Sequence, residues 1–149
     1  MLEALIGQLE QVVQQSREGY VQSFDGILQQ IAALNDPMCI PLLLPFFGDD
    51  AEYDEMLFTI IHTIEAFDDD VYVQKILDSL PSLLAKAPRW ATVIHMRILN
   101  SPSAFAAYAG RVRNLSQEQR GSVRRVLELV RLENPRCDDR CSALLARLS

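Results

Sequence analysis

Apolar residues recur at every third or fourth position along most of the chain, the spacing of one helix face rather than the alternation of a strand. Leu2, Leu5, Leu9, Val12 and Val13 predict an amphipathic helix over residues 2–17, with a break at Gly19. Phe24, Ile27, Leu28, Ile31 and Leu34 predict a second over 20–34. Asn35-Asp36-Pro37 must stop it, because proline disfavours a helical residue before it. Residues 38–47 form a short, almost wholly apolar helix that tolerates Pro41 in its first turn and ends at Gly48. Residues 52–67 come next. Tyr53, Leu57, Ile60, Ile61 and Ile64 fall within about 100° of arc there, and this segment is expected to be the inner helix of the domain.

Asp68-Asp69-Asp70 opens a helix with Val73, Ile76, Leu77, Leu80 and Leu84 on its inward face, which Pro81 should kink or split. Pro88 starts another, with Trp90, Val93, Ile94 and Arg97 on one face, stopped by Asn100-Ser101-Pro102. A short Ala-rich helix covers 103–112. Ser116 with Gln119 is a capping box opening a helix through Val123, Val126, Leu127 and Val130. Asn134-Pro135 ends that one, and a last helix covers 138–148. No stretch alternates with period two. Helix starts near 38, 70 and 103 interleave with starts near 52, 88 and 116, a two-helix period of about 32–36 residues of the kind stacked helical repeats show. The expected fold is all-α, one domain over 1–149, a compact array of about eight to nine helices stacked as HEAT-like hairpins. An irregular bundle is the alternative.

Composition agrees with a packed core: 149 residues, 49% apolar and 23% charged, which excludes disorder. The longest nearly apolar run, Pro37 to Phe47, has 11 residues with three prolines, too short for a bilayer that needs about 20. The opening MLEALIGQLEQVVQQ carries Glu3 and Glu10 and does not read as a secretory leader. With an odd count of three cysteines, a reducing cytoplasmic home is expected. Cys39 reads as a small core residue. Cys137 and Cys141 share a helix face, but a zinc site would need four ligands.

Charge changes the picture. Residues 1–85 hold 15 acids and two bases, a net of −13, whereas 86–149 hold five acids and 12 bases, a net of +7. Ten acids lie between Asp49 and Asp78, with Lys75 the one base among them. A helix N-terminus stabilises about half of these through its dipole; repulsion among the rest favours a basic partner. The expected partner-binding residues are therefore Asp49, Asp50, Glu52, Tyr53, Asp54, Glu55, Asp68, Asp69, Asp70 and Tyr72, with the tyrosines and Phe67 as aromatic anchors. Head-to-tail self-association into a homodimer is the other use of such asymmetry.

Catalytic chemistry does not emerge. His62 and Glu65 form a single H-x-x-E, whereas a di-iron bundle needs two such pairs and two further glutamates. His62 points about 140° away from the core stripe, so it reads as an exposed histidine. His95 is isolated, and no nucleophile elbow, Gly-rich phosphate loop or calcium loop is present. No cofactor and no metal site is expected. Arg120, Arg124 and Arg131 lie within about 40° on one helix face. They suit phosphate contacts, but Glu118, Glu128 and Glu133 flank them and no aromatics interleave for base stacking. A solvated face fits better than nucleic-acid binding. Arg97 lies among apolar residues and so needs a carboxylate partner. Glu65 is the first candidate and Asp54 the second, and such a pair would lock two hairpins together. Trp90 and Asn100 are read, with Glu65 and Arg97, as structural.

DDAEYDEMLFTIIHTIE from Asp49 to Glu65, YVQKILDSLPSLL from Tyr72 to Leu84 and APRWATVIHMRILNSP from Ala87 to Pro102 together resemble the immunity protein 30 family of bacterial polymorphic toxin systems. The resemblance covers about 34–102 and rests on Asp54, Glu55, Met56, Ile61, His62, Glu65, Pro88, Trp90, Arg97 and Asn100. It implies a protein that binds and neutralises a cognate toxin domain by occlusion, without catalysis. The toxin would be the product of a neighbouring gene, delivered by contact-dependent inhibition or type VI secretion. An acidic face would suit a basic, nuclease-type toxin. A HEAT-like scaffold or adaptor for an unrelated protein is the competing reading.

Overall fold

The computed structural model describes residues 1–15, 20–50 and 54–148. Among these residues there are nine α-helices and no strand. They are α1 (Leu2–Gln15), α2 (Tyr20–Leu34), α3 (Cys39–Leu43), α4 (Asp54–Glu65), α5 (Asp69–Lys86), α6 (Pro88–Leu99), α7 (Pro102–Arg111), α8 (Gln117–Glu133) and α9 (Asp138–Arg147). Short 3-10 turns follow α3, α7 and α8. The break expected at Gly19, and Glu52 and Tyr53, lie outside the described residues. No described helix is long and apolar enough to cross a membrane.

Local chemistry sets the boundaries. Asn35 ends α2 with a positive φ of 50°, which asparagine tolerates better than most residues. The Asp36 carboxylate then accepts from the Met38 amide, an Asx turn that redirects the chain into α3. Ser116 and Gln119 form the reciprocal capping box of α8.

Helix α5, rather than α4, is the innermost element. It packs against α3, α4, α6, α7 and α8, and Tyr72, Val73, Ile76, Leu77, Leu80, Leu83 and Leu84 are all buried. Helices α3, α5 and α7 pack successively along one side, and α6 packs on α8 along the other. A diagonal contact between α5 and α8 closes the stack.

Pro81 does not split α5, which runs unbroken past it. Proline lacks the N–H that would bond the carbonyl four residues earlier. That carbonyl belongs to Leu77, and it accepts instead from Gln119 Nε2 of α8 at 3.2 Å. Oε1 of the same Gln119 side chain accepts from the Ser116 amide, so one residue both caps α8 and repairs α5.

A single core runs through the stack, with Trp90 wholly buried against Phe47 and Phe58. His95 is also buried, which its isolation in the sequence did not suggest. Its Nδ1 lies 2.8 Å from the Ala91 carbonyl and its Nε2 2.8 Å from the Tyr108 hydroxyl. A carbonyl can only accept, so Nδ1 carries the hydrogen and the tyrosine donates to Nε2. Burial holds the imidazole down at about 4, so it is neutral at physiological pH. Cys39, Cys137 and Cys141 are buried free thiols. Burial raises Cys39 and Cys141 to about 11, so neither is poised as a thiolate.

Candidate functional site

Three arginines of the basic half reach back to acids of the acidic half. Arg89 of α6 donates from Nη2 to Asp54 of α4 at 2.8 Å. Arg97, two turns further along α6, makes the bidentate pair with Glu65: Nε to Oε2 and Nη2 to Oε1, both 2.8 Å. Arg111 of α7 stands 3.7 Å from Asp70 of α5. The charge asymmetry of the sequence therefore serves in part as cross-links between successive hairpins.

The Arg97–Glu65 pair has the strongest geometry. Two parallel charge-assisted bonds match the guanidinium fork to the carboxylate, and the bond to Glu65 is the largest cause holding Arg97 above its ordinary range. The pair ties the last residue of α4 to the last turn of α6. Asn100, just past α6, makes a separate tie to α9: its side-chain oxygen accepts from Arg140 at 2.8 Å.

Asp49 has an internal task as well. Helix α6 begins after Ala87, which has no side-chain acceptor, and its first-turn amides need partners. Asp49 Oδ2 accepts from the Arg89 amide at 3.0 Å, a cap supplied from forty positions earlier in the chain. Asp50 and Glu55 are exposed and have no ion pair among the described residues.

At the start of α5 the acids are left open. Asp68 is its N-cap residue, yet its side chain makes no capping bond. Asp68 and Asp70 are exposed and Asp69 is half-buried. Neither Asp68 nor Asp69 has an ion pair among the described residues, and Asp70 has the long contact to Arg111 alone. Tyr72, expected as a surface anchor, is a correction: it is 3% exposed. On the innermost helix it faces neighbours on two sides, so a position beside the predicted stripe is covered too. Phe67 is half-buried against the core, and His62 is exposed.

Two clefts flank this acidic turn. One, of about 440 Å³, is lined by Glu65, Asp69, Tyr72, Arg97, Asn100 and Ser101. The other, of about 480 Å³, is lined by Asp70, Asp78, Ala106, Ala107, Gly110 and Arg111. Asp69 thus borders one cleft and Asp70 the other.

The arginine row of α8 is largely spent inside the molecule. Arg120 donates to the carbonyls of Leu115, Leu148 and Arg113. Arg131 pairs with Asp138 at 2.6 Å, whereas Arg124 is exposed. Among the described residues no group of three or more His, Cys, Asp or Glu side chains is arranged to hold a metal ion.

The family model described as Immunity protein 30 matches residues 8–108, wider than the three quoted segments and inclusive of α2 through most of α7. No curated protein and no solved structure matches the chain.

Proposed function

Since the chain belongs to the immunity protein 30 family, we propose that it protects its host by binding a cognate toxin domain and covering the toxin's working surface. The acidic turn at Asp68–Asp70 is the docking edge in this reading. The observation that carries it is the contrast with the other acids. The side chains of Asp49, Asp54 and Glu65 are bound by residues of α6, while those of Asp68 and Asp69 have no hydrogen-bond or ion-pair partner among the described residues. The α5 N-terminus and Arg111 offset part of the repulsion among these acids; a basic partner relieves the remainder on binding while speeding encounter. Asp50 and Glu55, exposed as well, stand at the opposite end of α4 and border neither cleft.

A toxin with a basic face fits this edge, and nuclease toxins carry one because their own site must attract phosphate. Protection needs no reaction from the immunity protein, only occlusion of that site. The direct test is co-expression with the C-terminal domain of the large secreted protein encoded next to this gene. Growth should be restored in proportion to complex formation. Continued cell death with both proteins present at equal levels overturns the proposal, as does rescue by an unrelated scaffold protein expressed alike.

A further inference from the structure

Helix α8 carries an exposed apolar side chain beside an apolar groove. Leu132 is 80% exposed, and among the described large apolar side chains only that of Met1 is more so. At 100° per residue it points about 170° away from the middle of the buried stripe Val123, Val126, Leu127 and Val130. One exposed leucine is ordinary on a protein surface. What sets this one apart is what lies next to it. Leu129 and Glu133, on either side of it in α8, line a groove of about 230 Å³ together with Thr92, Val93 and Met96 of α6. Val93, Met96 and Leu129 are half-buried, so each still shows apolar surface to water. The Thr92 hydroxyl is spent on the Pro88 carbonyl at 2.7 Å. A cavity of about 150 Å³ holds a benzene molecule, so the groove has room for a leucine side chain.

A knob and a groove side by side on one helix form a patch that matches itself. A two-fold axis parallel to α8 leaves height along the helix unchanged. It therefore brings each Leu132 to the other copy's groove at the level of residue 132, between the Leu129 and Glu133 that line it. One patch then serves both copies, as an isologous interface requires. Charge agrees with this occupant. Arg124, Arg125, Glu128 and Glu133 are the exposed charges between Gly121 and Glu133, two of each sign, so two such helices meet without net repulsion.

We propose that the chain forms a two-fold homodimer through α6 and α8, with Leu132 of each copy seated in the α6–α8 groove of the other. Helix α8 lies outside the residues that the family model matches. The acidic turn lies at the far end of α6, in the cleft lined by Arg97 and Asn100, so the dimer leaves both acidic turns open.

The test is sedimentation equilibrium on the full chain, in low and in high salt. A monomer–dimer equilibrium is expected, with a dissociation constant of roughly micromolar order. High salt should not weaken it, because the contact is apolar. Leu132→Glu should weaken it about tenfold or more, while melting like the parent because the position is exposed. The seat is located by oxidising a mixture of Leu132→Cys and Val93→Cys chains. A mixed cross-linked pair is expected, which the parent, with its three cysteines buried, does not give. A single species at the monomer mass up to millimolar chain overturns the proposal. So does a dimer that Leu132→Glu leaves undiminished, or one that high salt dissolves, which assigns the contact to pairing of the acidic and basic halves. A monomeric chain whose toxin binding is lost in Leu132→Glu overturns it too, and gives the groove to the toxin.

Discussion

The segments 49–55 and 68–70 look alike in sequence, two acidic runs each opening a helix. In the folded chain they differ. Asp49 caps α6 and Asp54 pairs with Arg89, so the first run is partly building material. The carboxylates of Asp68 and Asp69 have no partner among the described residues, and the turn that carries them lies between two clefts. Acid density alone therefore does not separate the two runs; what separates them is how many of their acids the chain's own arginines have taken, two in the first run and, at long range, only Asp70 in the second.

The largest expected effect breaks the scaffold that holds both runs in place. Trp90 is wholly buried beside Arg89 and packs on Phe47 and Phe58. Trp90→Ala should cost about 3–5 kcal/mol in urea unfolding. A loss under about 1 kcal/mol would mean the start of α6 is held by something other than its core.

Acid separates scaffold from edge. His95 is held down at about 4 by burial, against about 6.5 in the unfolded chain. The unfolded state thus binds the proton first. Stability from this group is complete above pH 6.5 and is lost as pH falls from there to about 4, by about 3 kcal/mol. His95→Gln should flatten that part of the pH–stability curve. An unchanged slope would show that the imidazole is not the group responsible.

A smaller effect concerns the joint between the runs. Arg97→Lys keeps the charge but not the fork, and should cost about 1–2 kcal/mol, reduced by partial exposure. The edge itself stays intact in this variant, so toxin affinity should fall less than stability does. Smaller still is Asp54→Asn, whose pair with Arg89 is about half exposed on both sides. It should cost under about 1 kcal/mol and leave binding unchanged in calorimetry.

Much of the fold was legible from periodicity and stop signals, because burying an apolar stripe is a local matter of spacing. The Arg97–Glu65 pair was legible for the same reason: an arginine inside an apolar stripe needs a carboxylate, and Glu65 ends the preceding hairpin. What was hidden depends on how hairpins sit against one another. Tyr72 looked free because the stripe of α5 underestimates a helix packed on several sides. The His95–Tyr108 bond joins two helices whose facing sides no single pattern reveals. Pro81 looked like a break, since nothing near it shows that Gln119, from α8, would satisfy Leu77. The acids of 49–55 looked like a surface because the arginine that engages them lies 35 or more residues later.

The central claim is that the toxin docks on the start of α5. It is tested most directly by titrating the toxin domain into two charge-reversed chains that melt like the parent. One carries Asp68→Lys, Asp69→Lys and Asp70→Lys; the other carries Asp50→Lys and Glu55→Lys, the exposed acids of the first run that have no ion pair. The first should lose affinity by more than about tenfold, roughly 1.4 kcal/mol or more, and the second by less than about threefold. The opposite ranking would contradict the account and move the interface to the start of α4.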